Sequence, residues 1–327
     1  MKYEFEKYCT DDKNILKILD IYGVAIIPNL INNNECEKIN DGIWNYFEHV
    51  SKNWNNDFTP INRNDTKTWR NIYNLFPLHN HLFKHFGVGH SQICWDLRQN
   101  KKIINIFEKI WNCPEDDLLV SFDGFSFCLP PEITNKGWEH KTWFHTDQSY
   151  LRNDFECVQS WITANDIKEG DGTLAIMEGS HQYHEEFKNK FNINDSSDWY
   201  KLNSIEEKFY ENKKCEYKKI KCPKGSLVLW DSRTIHYGAN PVKKRKNHNF
   251  RSIIYLCYMK KELCSIKDII KKQNMFHKKQ TTNHWPCKPK ANNKFPQTYG
   301  KKIPEILDIE EPNINNIGKN IAGLNFI

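Results

Sequence analysis

Hydrophobic positions change their rhythm about a third of the way along this chain. From Asp12 to Phe47 they recur at helical spacing. Ile15, Leu16, Ile18 and Leu19 form one stripe, and Ile39, Ile43, Tyr46 and Phe47 form another. Between the stripes, Gly23 ends the first helix and Val24-Ala25-Ile26-Ile27 reads as a short β-branched strand stopped by Pro28. Asp12 is positioned to cap the first helix, and Asn33 or Asn34 the second. Residues 50–68 are polar and aperiodic, which predicts a loop. Residues 81–112 return to a helical pattern, with Ile103, Ile104, Ile106, Phe107 and Ile110 clustered before Cys113-Pro114.

After residue 115 the apolar runs shorten and Gly, Pro and Asp separate them. Strands are predicted at Leu118–Phe122, Gly124–Leu129, Trp143–Asp147, Cys157–Thr163, Gly172–Met177, Ser226–Trp230 and Arg251–Met259. Many short strands with turn signals between them predict a sandwich or barrel. The charged, partly helical stretch 181–217 reads as an insertion between strands, and the Lys- and Pro-rich tail 260–327 has few long periodic runs. With no internal repeat and no sharp change of composition, the prediction is an α+β fold in a single domain over 1–327. Its parts are a helical region at about 1–115, a β-core at about 116–260 and a covering tail at 261–327.

Composition narrows the class. At 327 residues the chain can bury a full core without staples, and 13% aromatic residues exclude a disordered chain despite a mean hydropathy of −0.77. The net charge of +6 is mild, and the one dense basic run is Lys243-Lys244-Arg245-Lys246, which weighs against a nucleic-acid binder. No apolar stretch reaches membrane-spanning length, and the N-terminus lacks a signal-peptide core. The 11 cysteines are odd in number, with no C-x-x-C pair. This predicts a reducing, cytoplasmic setting and no disulfide framework.

The candidate chemistry is metal ligation. Two His and one carboxylate on one face hold Fe(II) in non-haem oxygenases, and a strand supplies two of these ligands as His-x-Asp/Glu, because residues i and i+2 share a face. Thirteen His and 41 acidic residues give about 1.6 such pairs by chance, so the pair alone has no weight. Context separates the two present. His184-Glu185-Glu186 lies in a helix-prone, charged stretch where i and i+2 diverge, whereas His145-Thr146-Asp147 lies among strands. His236, after the apolar run Gly225–Asp231, is the candidate third ligand. If 2-oxoglutarate is the co-substrate, its far carboxylate needs a buried cation, best an arginine. Arg251 leads a strand 15 residues past His236, and Arg245, inside the basic run, is the weaker candidate.

Three blocks in order carry a resemblance. They are WFHTDQS at 143–149, CVQSWITANDIKEGDGTLAIMEGSHQYH at 157–184, and GSLVLWDSRTIHYGANP followed by RSIIYLCY within 225–258. With the opening Tyr22–Pro28 and the tail around His284-Trp285-Pro286, they resemble the phytanoyl-CoA dioxygenase family of Fe(II)/2-oxoglutarate oxygenases. The resemblance implies a double-stranded β-helix (jelly-roll, cupin-like) core and Fe(II) held by His145, Asp147 and His236. It also implies that Arg251 pairs with the far carboxylate of 2-oxoglutarate and that Trp161 lines the co-substrate pocket. Core packing is the alternative role for Trp161. His181 and His184 are read as non-ligands, and 185–217 has no counterpart in the family. Halogenating relatives replace the carboxylate with Gly or Ala, so Asp147 implies hydroxylation of a small-molecule substrate by O2, releasing succinate and CO2. The basic run suggests an anionic substrate. The competing readings are an inactive binding protein on the same scaffold and a cupin-type metalloprotein that does not use 2-oxoglutarate.

Overall fold

The computed structural model describes residues 1–54, 57–139, 141–246, 248–306 and 309–326. Its strands, in chain order, are β1 Lys2–Glu4, β2 Val24–Ile27, β3 Leu82–Phe83, β4 Leu118–Val120, β5 Phe125–Cys128, β6 His145–Thr146, β7 Val158–Thr163, β8 Thr173–Met177, β9 Tyr200–Lys201, β10 Tyr217–Ile220, β11 Leu227–Asp231, β12 His236–Ala239 and β13 Arg251–Lys260. They form two large sheets of a mixed α+β fold. One has six strands in the order β1-β10-β8-β12-β6-β9; the other has seven, six in the order β2-β11-β7-β13-β5-β3 and the seventh, β4, paired with β13 off that path. Every ladder is antiparallel except β1 with β10.

Alternation along the strands sorts the side chains into layers. On β7, Trp161 points to an interior cluster while Val158 and Ile162 point to the opposite face. The interior cluster joins Val24, Trp161, Val228 and Ile253 of the seven-stranded sheet to Leu174, Ile176 and Ile220 of the six-stranded sheet, so the sheets face each other across it. The outer face of the seven-stranded sheet packs on helices α1 (Ile15–Tyr22), α2 (Asn33–Ser51), α3 (Gln92–Arg98) and α4 (Lys101–Trp111), through residues such as Ile39, Phe47, Ile103 and Phe107. Each such apolar side chain contributes roughly 1.5–3 kcal/mol of burial. The outer face of the six-stranded sheet, with Ala175, Met177 and Tyr237, is covered by Phe187, Phe209 and Tyr210 from helices His184–Phe191 and Ser204–Asn212. The insertion is therefore a packed layer.

Several local expectations are corrected. Asp12 does not cap α1. Asp11 accepts from the backbone N–H groups of Lys13 and Asn14, and Asp12 pairs with Lys109. The cap of α2 is Asn32, one residue before the expected pair, because only there can Glu35 complete a capping box. Leu16 is exposed, so the α1 stripe is narrower than the sequence suggests. The stretch 81–112 is not continuously helical, since Leu82–Phe83 joins β5 before α3 begins. Within the polar stretch 50–68, residues 55–56 lie outside the described residues, and a 3-10 helix starts at Thr66. The tail carries an unexpected helix, Ile266–His277, whose apolar positions are interrupted by Lys residues. The cysteines stand as free thiols. Among the described residues, no helix is long and apolar enough to cross a membrane.

Candidate metal centre

The six-stranded sheet brings the candidate ligands together. His145 on β6 and His236 on β12 are direct cross-strand partners, so their side chains leave the same face, with ring centroids 4.5 Å apart. Asp147 follows β6 and is pinned where its N–H donates to Ser232 O at 3.2 Å, beside the Thr146 hydroxyl donating to the same oxygen at 3.0 Å. Its carboxylate oxygens lie 3.6 Å from His145 Nε2 and 3.3 Å from His236 Nε2. One donor atom from each residue falls within 4.8 Å of the others. His184-x-Glu186 lies on a helix instead. His184 Nε2 meets Ser149 O and His181 Nε2 meets Asp20 O, so neither joins the cluster.

Both rings are set by short-range bonds. His145 Nδ1 lies 3.3 Å from Trp143 O, and His236 Nδ1 lies 2.8 Å from Thr234 O. A carbonyl can only accept, so each Nδ1 carries a proton and Nε2 is the ring atom turned to Asp147. Thr234 is itself held by donating to Gly23 O at 3.0 Å. Gly23 has φ +74°, and a Cβ there would lie 2.4 Å from Thr234 Oγ1, so this close approach requires glycine. The end of α1 thus fixes the carbonyl that orients His236.

The electrostatics suit a cation. Burial, with His236 next, pushes His145 below its ordinary value, favouring the neutral ligand form. Burial acts to raise Asp147, but the neighbouring His145 and His284 and the ring hydrogen bonds outweigh it and hold the carboxyl well below the usual range. Two imidazoles and one carboxylate within 4.8 Å of one another are a fitting donor set for Fe(II).

Sequence reasoning missed three residues here. Gln159 on β7 donates to Asp147 Oδ2 at 3.0 Å, reaching across from the other sheet. Its alternation with Trp161 was the available signal. Trp143 stacks on His145, with centroids 4.7 Å apart and an 8° tilt. His284 comes from the tail, and its Nε2 is buried without a hydrogen bond among the described residues. The tail motif His284-Trp285-Pro286 was seen, but nothing local linked it to the site.

Trp161 is buried in the interior cluster and sits in register with Tyr255. Arg251 is buried at the start of β13, opposite Cys128, and by alternation shares a face with Ile253 and Tyr255 of that interior. Arg245 is committed elsewhere. Its guanidinium bonds Glu132 at 2.7 and 2.8 Å and Asp171 at 2.6 Å, with its side chain 1% exposed. The basic run is therefore not wholly solvated. Lys243, Lys244 and Lys246 are exposed, while Arg245 is a buried ion-pair partner.

A donor set of this kind between two facing sheets suits a non-haem metal ion. Residues 19–243 match phytanoyl-CoA dioxygenase (PhyH), and the chain belongs to that family. Its three donors, His145, Asp147 and His236, lie within the chain that carries this family match. It is similar to Ava biosynthesis cluster protein O of Aspergillus versicolor, 27% identical over 210 residues. That match covers 62% of this chain and 65% of the relative, slightly under two thirds of its length. The fold is similar to that of the hypothetical protein JW0805 from Escherichia coli (TM-score 0.61, 11% identity, 97% of this chain and 85% of that one). It is also similar to GlcNAc Inducible Gene 2 from Candida albicans (TM-score 0.53, 14% identity, 83% and 70%).

Proposed function

We propose that the chain is a single-domain hydroxylase with a double-stranded β-helix core, in which His145, Asp147 and His236 hold one Fe(II) facially. Arg251 then anchors the far carboxylate of 2-oxoglutarate, and the product is a hydroxylated small molecule, with succinate and CO2 released. The observation that carries this reading is the convergence of three donors within 4.8 Å, with both imidazole Nε2 atoms turned to Asp147. Bound iron supplies oxygen activation driven by decarboxylation of the 2-oxo acid. The chain's own residues orient and exclude. Gln159 steadies the Asp147 carboxylate, and Trp143 backs His145. Arg251 offers a planar cation for a bidentate pair, and Trp161 with Ile253 and Tyr255 gives the co-substrate a dry wall. The carboxylate at Asp147 supports hydroxylation, because it occupies the place a halide needs.

An anionic substrate steered by the basic run has reduced support, since the Arg245 charge is neutralised by Glu132 and Asp171. Only the exposed Lys243, Lys244 and Lys246 remain for it. The deciding experiment is an anaerobic crystal structure with Fe(II) and 2-oxoglutarate, screened with a metabolite library. The expected result is iron on the three donors and the far carboxylate on Arg251. A carboxylate on Arg245, or no density for 2-oxoglutarate in iron-loaded crystals, would contradict the reading.

A further inference from the structure

A second built cluster lies in the seven-stranded sheet, on β5 and β13, whereas the metal-donor histidines lie on strands of the other sheet. Cys128 on β5 stands in register with Arg251 on β13, and the two side chains hydrogen-bond. On its other side, His81 Nδ1 lies 3.1 Å from Cys128 Sγ. The ring is held in place from several directions. His81 has a left-handed backbone, φ 55°, uncommon outside glycine. Gly137 packs so closely that a Cβ there would lie 2.3 Å from His81 Cε1. His81 Nε2 meets the Tyr73 hydroxyl at 3.3 Å, and that hydroxyl meets Thr134 Oγ1 at 3.4 Å. Cys128 is 1% exposed and His81 8%, so the contact is shielded from water.

A thiol between an imidazole and a guanidinium is the environment that turns cysteine into a nucleophile. Burial acts to raise the Cys128 thiol, but His81, and then Arg251, outweigh it and hold the thiol below its ordinary value. Burial likewise acts to lower His81, and the Cys128 charge and hydrogen bond reverse that. At Cys222, where no imidazole acts on the thiol, burial pushes it above the usual range, and the Ser226 hydrogen bond and the Arg251 charge offset this only in part.

We propose that Cys128 and His81 form a thiolate–imidazolium pair that is a modification site for alkylating electrophiles, and that the thiolate is the counter-ion of Arg251 until a 2-oxoglutarate carboxylate displaces it. This rests on the reading of Arg251 as the anchor. When the carboxylate arrives, the His81 proton passes to sulfur, leaving a neutral imidazole, a thiol and one Arg–carboxylate pair. No proton is exchanged with solvent. With iodoacetamide, the thiolate electron pair forms a carbon–sulfur bond and iodide leaves. His81 keeps its proton, and the added group occupies the space beside Arg251.

The test uses the full-length protein at neutral pH under anaerobic conditions, with peptide mass mapping of iodoacetamide adducts and far-ultraviolet thiolate absorbance. Wild type minus Cys128→Ser is expected to show one thiolate, which His81→Gln removes. Cys128 is expected to be alkylated at least about tenfold faster than Cys222, the ratio that one unit of thiol pKa difference gives. Saturating 2-oxoglutarate is expected to remove the thiolate absorbance and slow the alkylation. Equal absorbance in wild type and Cys128→Ser would overturn the proposal. Binding of 2-oxoglutarate to Arg251→Ala, followed by calorimetry, separates the two readings. Lost binding in that variant with a wild-type thiolate indifferent to 2-oxoglutarate defeats the counter-ion proposal alone. Unchanged binding defeats the anchor reading, and the counter-ion role with it.

Discussion

The two sheets hold their functional side chains in different ways. In the seven-stranded sheet, β13 runs ten residues and is paired with β7, β5 and β4, so the ladder itself fixes Arg251. In the six-stranded sheet, β6 is two residues long and a single register pair joins it to β12. The backbone there is too short to position His145 by itself. Bonds from each imidazole to the carbonyl two residues back take over, and the aromatic layer of the insertion braces the strands from behind. A long ladder spreads its constraint over many hydrogen bonds, whereas a short strand borrows rigidity from its packing. The metal sheet should therefore be the one that distant core changes disturb.

The largest expected effect tests that asymmetry from behind. Phe187 is fully buried between Tyr150 and Tyr210. Phe187→Ala should cost roughly 3–5 kcal/mol of stability. In the fraction still folded, Fe(II) affinity should fall while 2-oxoglutarate affinity of the iron-loaded protein holds. Denaturant melts and metal titration would measure both, and equal weakening of the two affinities would break the comparison. Next is Arg251→Ala, which should cost roughly 2–5 kcal/mol of co-substrate binding, at least tenfold in affinity, with iron binding intact. Arg245→Ala should instead lower stability, because it strands Glu132 and Asp171. If it is Arg245→Ala that selectively weakens 2-oxoglutarate, the anchor has been misassigned.

A smaller effect is expected where the sheets touch. Gln159→Leu removes the bond from β7 to Asp147, worth roughly 1.5–3 kcal/mol for a charged acceptor. It should weaken Fe(II) binding about tenfold while leaving the anchor alone, as read by parallel metal and 2-oxoglutarate titrations. The smallest effect belongs to the exposed lysines. Replacing Lys243, Lys244 and Lys246 with Ser should change catalytic efficiency on an identified substrate less than about threefold, even at low ionic strength. A large, salt-sensitive loss would restore the anionic-substrate reading.

How much was legible follows from the same contrast. The strands of the seven-stranded sheet are buried on both faces, so β7, β11 and β13 read as apolar runs and were placed within a residue or two. β12 was not anticipated, because His236-Tyr237-Gly238-Ala239 has no apolar run. Its histidine was found from the strand before it. His145-x-Asp147 was readable through the two-residue period, although the strand covers His145 and Thr146 and stops before Asp147. What stayed hidden depends on distant partners. The Arg245 ion pairs reach 113 residues to Glu132 and 74 to Asp171, and Cys128 meets His81 across 47 residues. Helix Ile266–His277 escaped notice because Lys272, which points inward and donates to Val120 O, breaks its apolar stripe.

The central claim is that His145 and His236 are iron ligands oriented through their Nδ1 bonds. It is tested most directly by anaerobic Fe(II) titration of the wild type, His145→Ala and His236→Ala, each checked by circular dichroism for retained fold. About one equivalent of tightly bound iron is expected in the wild type, with loss of stoichiometric binding in both folded variants. Full iron occupancy in both variants would contradict it.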